Sequence, residues 1–265
     1  MPETRIAAGI EYCGRDFRGW QRQATGPTLQ EAVERALSRV ADSPVHVFCA
    51  GRTDAGVHAR QQVIHFDPPV ERKPRAWILG SNVHLPAQVS VVWAKAVSGQ
   101  FHARYSALAR SYQYVILNRS ARPGLLTGRV TWEFRPLDEL RMQAAAQCLE
   151  GEHDFSAFRA VDCQARNPVR TVTHLEVRRR EDFLIIEVRA NAFLHHMVRN
   201  IAGVLMMIGM GQKPVSWAQA VLDSRDRRLG GVTAPADGLY LAGVRYPAEF
   251  GIPVRDFDLP GADFP

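Results

Sequence analysis

The order of hydrophobic patterns constrains the fold of this chain more tightly than any bulk property, because the same order occurs twice. "TRIAAGIEY" alternates as a strand does. Leu29, Val33, Leu37 and Val40 then recur at helical spacing behind Thr28 and Glu31, which fit a capping box. "VHVFCA" and "QQVIHF" have strand character, residues 74–83 a helical pattern, and "VSVVWAKAV" closes the first half as a strand. The second half starts again with "RSYQYVIL". A helix capped by Asp138 and stopped at Gly151 follows. "VTHLEVRRR" and "FLIIEVRAN" form a hairpin at Glu181 and Asp182, and then come a helix over "FLHHMVRNIAGVLMMIG" and a last strand, "LYLAGVRY". Between those two, "SWAQAVLDS" supplies a short helix in which Ser216 and Gln219 fit a second capping box. The predicted class is α+β. Two duplicated split β-α-β halves, ferredoxin- or RRM-like, form one extended antiparallel sheet with helices on one face. The expected division is 1–105 for the first half, 106–247 for the second, and 248–265 for a proline-rich tail.

The first-half hairpin is expected to carry a long loop from Cys49 to Gln61, whereas its second-half counterpart, Arg180 to Phe183, is short. Extra length in an economical hairpin points to function. The loop reads "CAGRTDAGVHARQ": Gly51 and Gly56 let the backbone bend, Asp54 supplies a carboxylate, and Arg52 beside it favours the ionised form. From the residues alone Asp54 is a nucleophile, a general base, a metal ligand or a turn-former. Metal chemistry finds no support in the spacing. His58 and His65 follow without a His-Glu-x-x-His pattern, and the adjacent His195 and His196 are expected on different faces of a helix. No P-loop or dinucleotide fingerprint is present, so no cofactor is expected. Cys13, Cys49, Cys148 and Cys163 stand far apart, which fits reduced thiols in the cytoplasm. The N-terminus has no signal-peptide pattern, and "IAGVLMMIGMG" is too short to span a bilayer.

The charge balance suits an anionic partner, with a formal net charge of +6. Of the 33 lysines and arginines only Lys73, Lys95 and Lys213 are lysine, and arginine matches phosphate with a planar fork. A genome-wide preference for arginine gives the same composition, so charge alone does not decide.

"GIEYCGRDFRGWQRQ", "TLQEAVERAL", "VFCAGRTDAGVHARQQVIHF", "FHARYSALARSYQYVI", "DFSAFRA" and "NAFLHHMVRNIAG" together decide it. In order and spacing, from about residue 5 to residue 247, they resemble the tRNA pseudouridine synthase A family. The resemblance implies an isomerase that flips a uridine out of the 3′ side of the tRNA anticodon stem-loop, detaches the base and rejoins it through a ring carbon. It implies no cofactor or metal, a homodimer, and one tRNA touching both subunits. Asp54 matches the essential aspartate, acting at the base or at the ribose. Arg52 matches a residue that enters the RNA where the base leaves, its bland counterpart being a phosphate contact. Tyr112 matches a tyrosine that packs on the base, Arg199 a basic partner of the aspartate, and Leu239 an apolar neighbour of the flipped base. Without the resemblance these last three are a core tyrosine, a helix-surface arginine and a core leucine. Because Arg199 lies late in the chain, the resemblance also implies a pocket shared by both halves. "FHAR", Phe101 to Arg104, is matched without an assigned role. Arg15, Arg18 and Arg22 are expected on RNA phosphates, and Arg178 to Arg180 at a solvated hairpin tip. Ser111 stands where the family often has an arginine. Two other classes compete: a non-catalytic RNA-binding module, which gains nothing from a carboxylate amid phosphates, and a metal- or cofactor-dependent enzyme.

Overall fold

A computed structural model describes residues 5–161 and 163–253; the first four residues and the predicted tail beyond 253 lie outside them. The described chain divides into two compact units, residues 5–108 with 240–253, and residues 109–239.

The first unit follows the predicted order: β1 (Arg5–Tyr12), α1 (Leu29–Ala41), β2 (Phe48–Cys49), β3 (His58–Phe66), α2 (Pro74–His84) and β4 (Val89–Val97). β1 lies antiparallel between β3 and β4. Leu29, Val33 and Leu37 bury the α1 stripe, and Trp77 of α2 sets its ring edge-on to Phe66 at 5.1 Å. The α1 cap differs from the expected capping box. Thr28 is the N-cap residue, but its hydroxyl makes no capping bond and is buried without a partner. The first helical amides instead find backbone carbonyls, Leu29 donating to Gly19 and Gln30 to Trp20 at 3.1 and 3.0 Å. A folded-back segment thus does what the side chain was expected to do.

β2 is only two residues long, and the pairing of β3 shows why. Phe48 and Cys49 pair with His65 and Ile64, while His58 and Ala59 pair in parallel with Tyr240 and Leu241 of β10 (Leu239–Arg245). β10 holds the edge of β3 that a longer β2 would have used. The chain therefore leaves the sheet after Cys49, and the loop runs over 50–57 rather than to Gln61, which lies in β3.

The second unit contains β5 (Ala109–Asn118), β6 (Thr131–Glu133), α3 (Glu139–Ala146), β7 (Gly151–Asp154), β8 (Val169–Arg180), β9 (Phe183–Ala190), α4 (Met197–Gly209) and α5 (Trp217–Ser224). Its ladder runs β5-β9-β8-β7, antiparallel throughout. β6 adds to β5 in parallel, so with the β10–β3 pair the pairing is mixed rather than purely antiparallel. Asp138 caps α3 as expected, accepting from the Arg141 amide at 3.0 Å. The helix stops before Gly151, however, and that residue opens β7 with φ of 103°. Ser216 makes no capping bond for α5, and Gln219 donates to Asp223 instead. α4 begins only at Met197, because His196 takes a left-handed backbone at φ of 61°. Ile201, Val204, Leu205 and Ile208 then bury its apolar side completely.

Gly203 in α4 touches the chain that follows α5: a methyl group there would lie 2.0 Å from the Val232 carbonyl oxygen. Helix propensity alone favours alanine over glycine by about 1 kcal/mol. Overpacking costs about 1–3 kcal/mol, so contact outweighs propensity. Gly203→Ala is expected to lower the midpoint of denaturant unfolding; a raised midpoint would show that the helix and this segment do not depend on each other.

Candidate functional site

In the first unit the site is built on the loop 50–57. The loop is locked at both ends. Ala50 donates to the Val63 carbonyl at 2.8 Å, and the side-chain amide of Gln62 donates to the Gly51 carbonyl at 2.6 Å. At the other end Val57 donates to the Asp54 carbonyl at 3.2 Å, closing a turn that Gly56 completes with φ of 81°. Between these ends the segment Cys13–Trp20 lies against the loop. The amide of Trp20 donates to Thr53, Gly56 donates to Phe17, and the Tyr12 hydroxyl meets the Thr53 hydroxyl at 2.8 Å. Two glycines permit this approach: a methyl on Gly14 would sit 1.9 Å from the Val57 carbonyl oxygen, and one on Gly19 would sit 2.7 Å from that of Thr53. Asp54 is half-buried in this frame and Arg52 is exposed. Both sequence-predicted residues therefore share one short loop with a fixed backbone.

The histidines around the loop have structural partners. His58 accepts from the Gly14 amide at Nδ1 and stacks on Tyr240 at 4.6 Å. His65 accepts from the Ala103 amide at Nδ1, 3.1 Å away, which requires the neutral ring. Burial, reinforced by His102 and Arg5, holds its pKa down at about 4. Burial also pushes the Cys49 thiol up to about 12, against the opposing fields of Arg52 and Arg104. The segment expected to offer Arg15, Arg18 and Arg22 to RNA is pinned by backbone bonds from Phe17 to Gly14 and from Arg18 to Pro27. Arg22 is engaged with the buried Glu34 at 2.7 Å, an ion pair that holds α1 rather than a phosphate.

In the second unit Tyr112 lies on β5, 8 % exposed, with its ring edge-on to Phe193 at 5.0 Å. Arg199 is in the first turn of α4, half-buried, and its Nε donates to the Ala234 carbonyl at 2.8 Å. Leu239 is buried, its amide donating to Ala236. The segment 232–239 receives Arg199 and ends at Leu239. Besides Arg199, it is held by the Tyr114 hydroxyl on the Pro235 carbonyl at 2.9 Å and by the Val115 amide on the Gly238 carbonyl at 2.8 Å.

Several supporting residues escaped the sequence reading. Tyr114 shares the strand face of Tyr112 through the two-residue period, and burial pushes its phenol well above the usual range. Asn200 is fully buried. It donates to the Phe158 carbonyl and accepts from Arg227 and Thr233, which ties α4 to the segment that anchors Arg199. The only signal was a polar residue at a helix position that apolar neighbours mark as core. His195 and His196 precede α4 rather than occupying two of its faces, and their rings lie 4.1 Å apart. Ser111 accepts from Arg189. Arg179 binds Glu139 and the Leu137 carbonyl, so the hairpin arginines are partly structural.

The family model described as tRNA pseudouridine synthase matches residues 8–106 and 145–247. The chain is 58% identical over 253 residues to the tRNA pseudouridine synthase A of Pseudomonas aeruginosa, covering 95% of this chain and 89% of that one. It is 56% identical over 250 residues to the protein of that name in Coxiella burnetii, covering 94% and 96%. For Legionella pneumophila the figures are 55% over 248 residues, 94% and 95%.

The His65 geometry gives a pH dependence. Its folded pKa, about 4, lies below its ordinary 6.5. In that window the unfolded chain binds a proton that the folded chain does not, so stability falls as pH drops from about 6.5 to about 4. Unfolding free energies measured across that range are expected to show the slope in the wild type and a shallower one in His65→Asn, whose Oδ1 can still accept from Ala103. Equal slopes would overturn this account of His65.

Proposed function

The chain belongs to the tRNA pseudouridine synthase family, and from that membership we propose that it converts uridine to pseudouridine on the 3′ side of the tRNA anticodon stem-loop, with Asp54 as the essential carboxylate. The reaction is an isomerisation. The bond from ribose to the base nitrogen breaks, the ring turns, and a ring carbon bonds to the ribose. That carbon loses a proton and the nitrogen ends with one, so no atom is gained or lost and no redox partner is called for.

The observation that carries this reading is the setting of Asp54. A half-buried carboxylate in a loop fixed at both ends is pre-organised to act on a reacting atom, whether at the base or at the ribose. A surface that only bound RNA would be weakened by an anion facing phosphates, which disfavours the non-catalytic alternative.

A stacked base is out of reach, and everting it costs a few kcal/mol. The proposal gives part of that work to Arg52, whose exposed side chain fills the place the base leaves. Tyr112 packs on the flipped base, Leu239 flanks it, and Arg199 supplies positive charge for the carboxylate. The anchoring of Arg199 at Nε fits a positioned charge better than a surface arginine. The arginine-rich composition supplies general affinity for the phosphate backbone, which weakens as salt rises. We carry over from the family a homodimer acting in the cytoplasm.

Asp54→Asn is expected to lower turnover by on the order of a thousandfold or more, while tRNA affinity stays within about threefold. Arg199→Ala is expected to lower turnover by about ten- to a hundredfold. Chemical mapping of pseudouridine on unmodified tRNA, with parallel binding measurements, reads both. Near-wild-type pseudouridine formation by Asp54→Asn would refute the assignment.

A further inference from the structure

The first unit carries a run of rings that the reaction as proposed does not use. Phe48 stacks on His65 at 5.0 Å, His65 meets His102 edge-on at 4.5 Å, and His102 lies 4.4 Å from Tyr105. Its middle is buried and both ends are open: His65 is 1% exposed, Phe48 55% and Tyr105 77%. The Arg104 guanidinium sits 5.7 Å from the centre of the Tyr105 ring.

Two large aromatic residues so exposed have no role in the core, yet the turn that presents Tyr105 is rigidly built. His102 Nδ1 accepts from the amides of Arg104 and Tyr105, the His102 amide donates to Ser106, and the Ala103 carbonyl accepts from Tyr246 at 2.6 Å. Burial and two arginines hold His102 below its ordinary pKa. The platform is also joined to the loop of Asp54. Phe48 and Cys49 form β2, and the loop begins at the next residue, Ala50.

We propose that Tyr105 and Phe48 form a stacking platform for an unpaired base of the RNA substrate next to the target nucleotide, with Arg104 holding the adjoining phosphate. The inference rests on the functional reading above, since it takes RNA to be the substrate. Flat, exposed rings with a guanidinium group beside one of them fit a nucleobase with its phosphate better than a protein surface. Every base offers a face to stack on, and loss of one aromatic contact weakens single-strand binding by about tenfold. The platform binds and positions; it does no bond chemistry.

The test uses the full-length protein, unmodified tRNA, and a matching stem-loop carrying 2-aminopurine beside the target uridine. Tyr105→Ala is expected to raise KM by about tenfold with kcat within about twofold, and to abolish the quenching of 2-aminopurine on binding. Tyr105→Phe, which keeps the ring, restores both, and Arg104→Gln lowers the salt dependence of binding. Unchanged KM and quenching in Tyr105→Ala would overturn the platform, as would an effect on self-association in sedimentation with RNA binding intact. The two readings fail separately. If wild type makes no pseudouridine but Tyr105→Ala weakens RNA binding, the platform stands without the enzyme; if wild type is active and Tyr105→Ala binds RNA normally, the platform alone falls.

Discussion

The amide of Trp20 donates to the carbonyl of Thr53, and much of the first unit is arranged so that this bond can form. Gly14 and Gly19 lack the side chains that would keep the segment off the loop, and the neighbouring carbonyls of Gly19 and Trp20 take over the capping of α1. One folded-back segment therefore serves the helix and the loop together. The loop exists because β10 occupies the edge of β3 at His58 and Ala59, so β2 leaves the sheet after two residues. Asp54 sits in a loop whose backbone is held at both ends by bonds from Ala50, Gln62 and Val57.

The second unit fixes its contribution by similar means. Asn200 and Arg227 tie the start of α4 to the segment after α5, Gly203 lets the two touch, and Arg199 reaches the Ala234 carbonyl of the same segment. Tyr114 secures Pro235 from the strand face that also carries Tyr112. These are buried polar groups with their bonds made, which favours one arrangement over near alternatives.

What was legible in the sequence is what depends on local periodicity. α1, α2, β4, β5 and the β8–β9 hairpin could be read because each carries its own repeating pattern over eight or more residues. β6 and β7, three and four residues long, are too short to show a period. Capping at Thr28 is not legible because carbonyls outside the helix replace the side-chain cap, and nothing near Thr28 reveals Gly19 or Trp20 folding back. The start of α4 was placed too early because His196 takes a backbone conformation that glycine usually supplies. At the site, Asp54 and Arg52 were marked by their glycine-flanked loop. Thr53, Tyr114 and Asn200 were not, since their roles exist only through partners far along the chain.

The central claim is that this chain isomerises uridine through Asp54. It is tested most directly with tRNA whose uridines carry tritium on the ring carbon that becomes bonded to ribose. Wild-type protein is expected to release tritium to water in step with pseudouridine formed in the anticodon stem-loop, and Asp54→Ala to release none while still binding the tRNA. Release by Asp54→Ala at the wild-type rate, or no release by the wild type, would contradict the account.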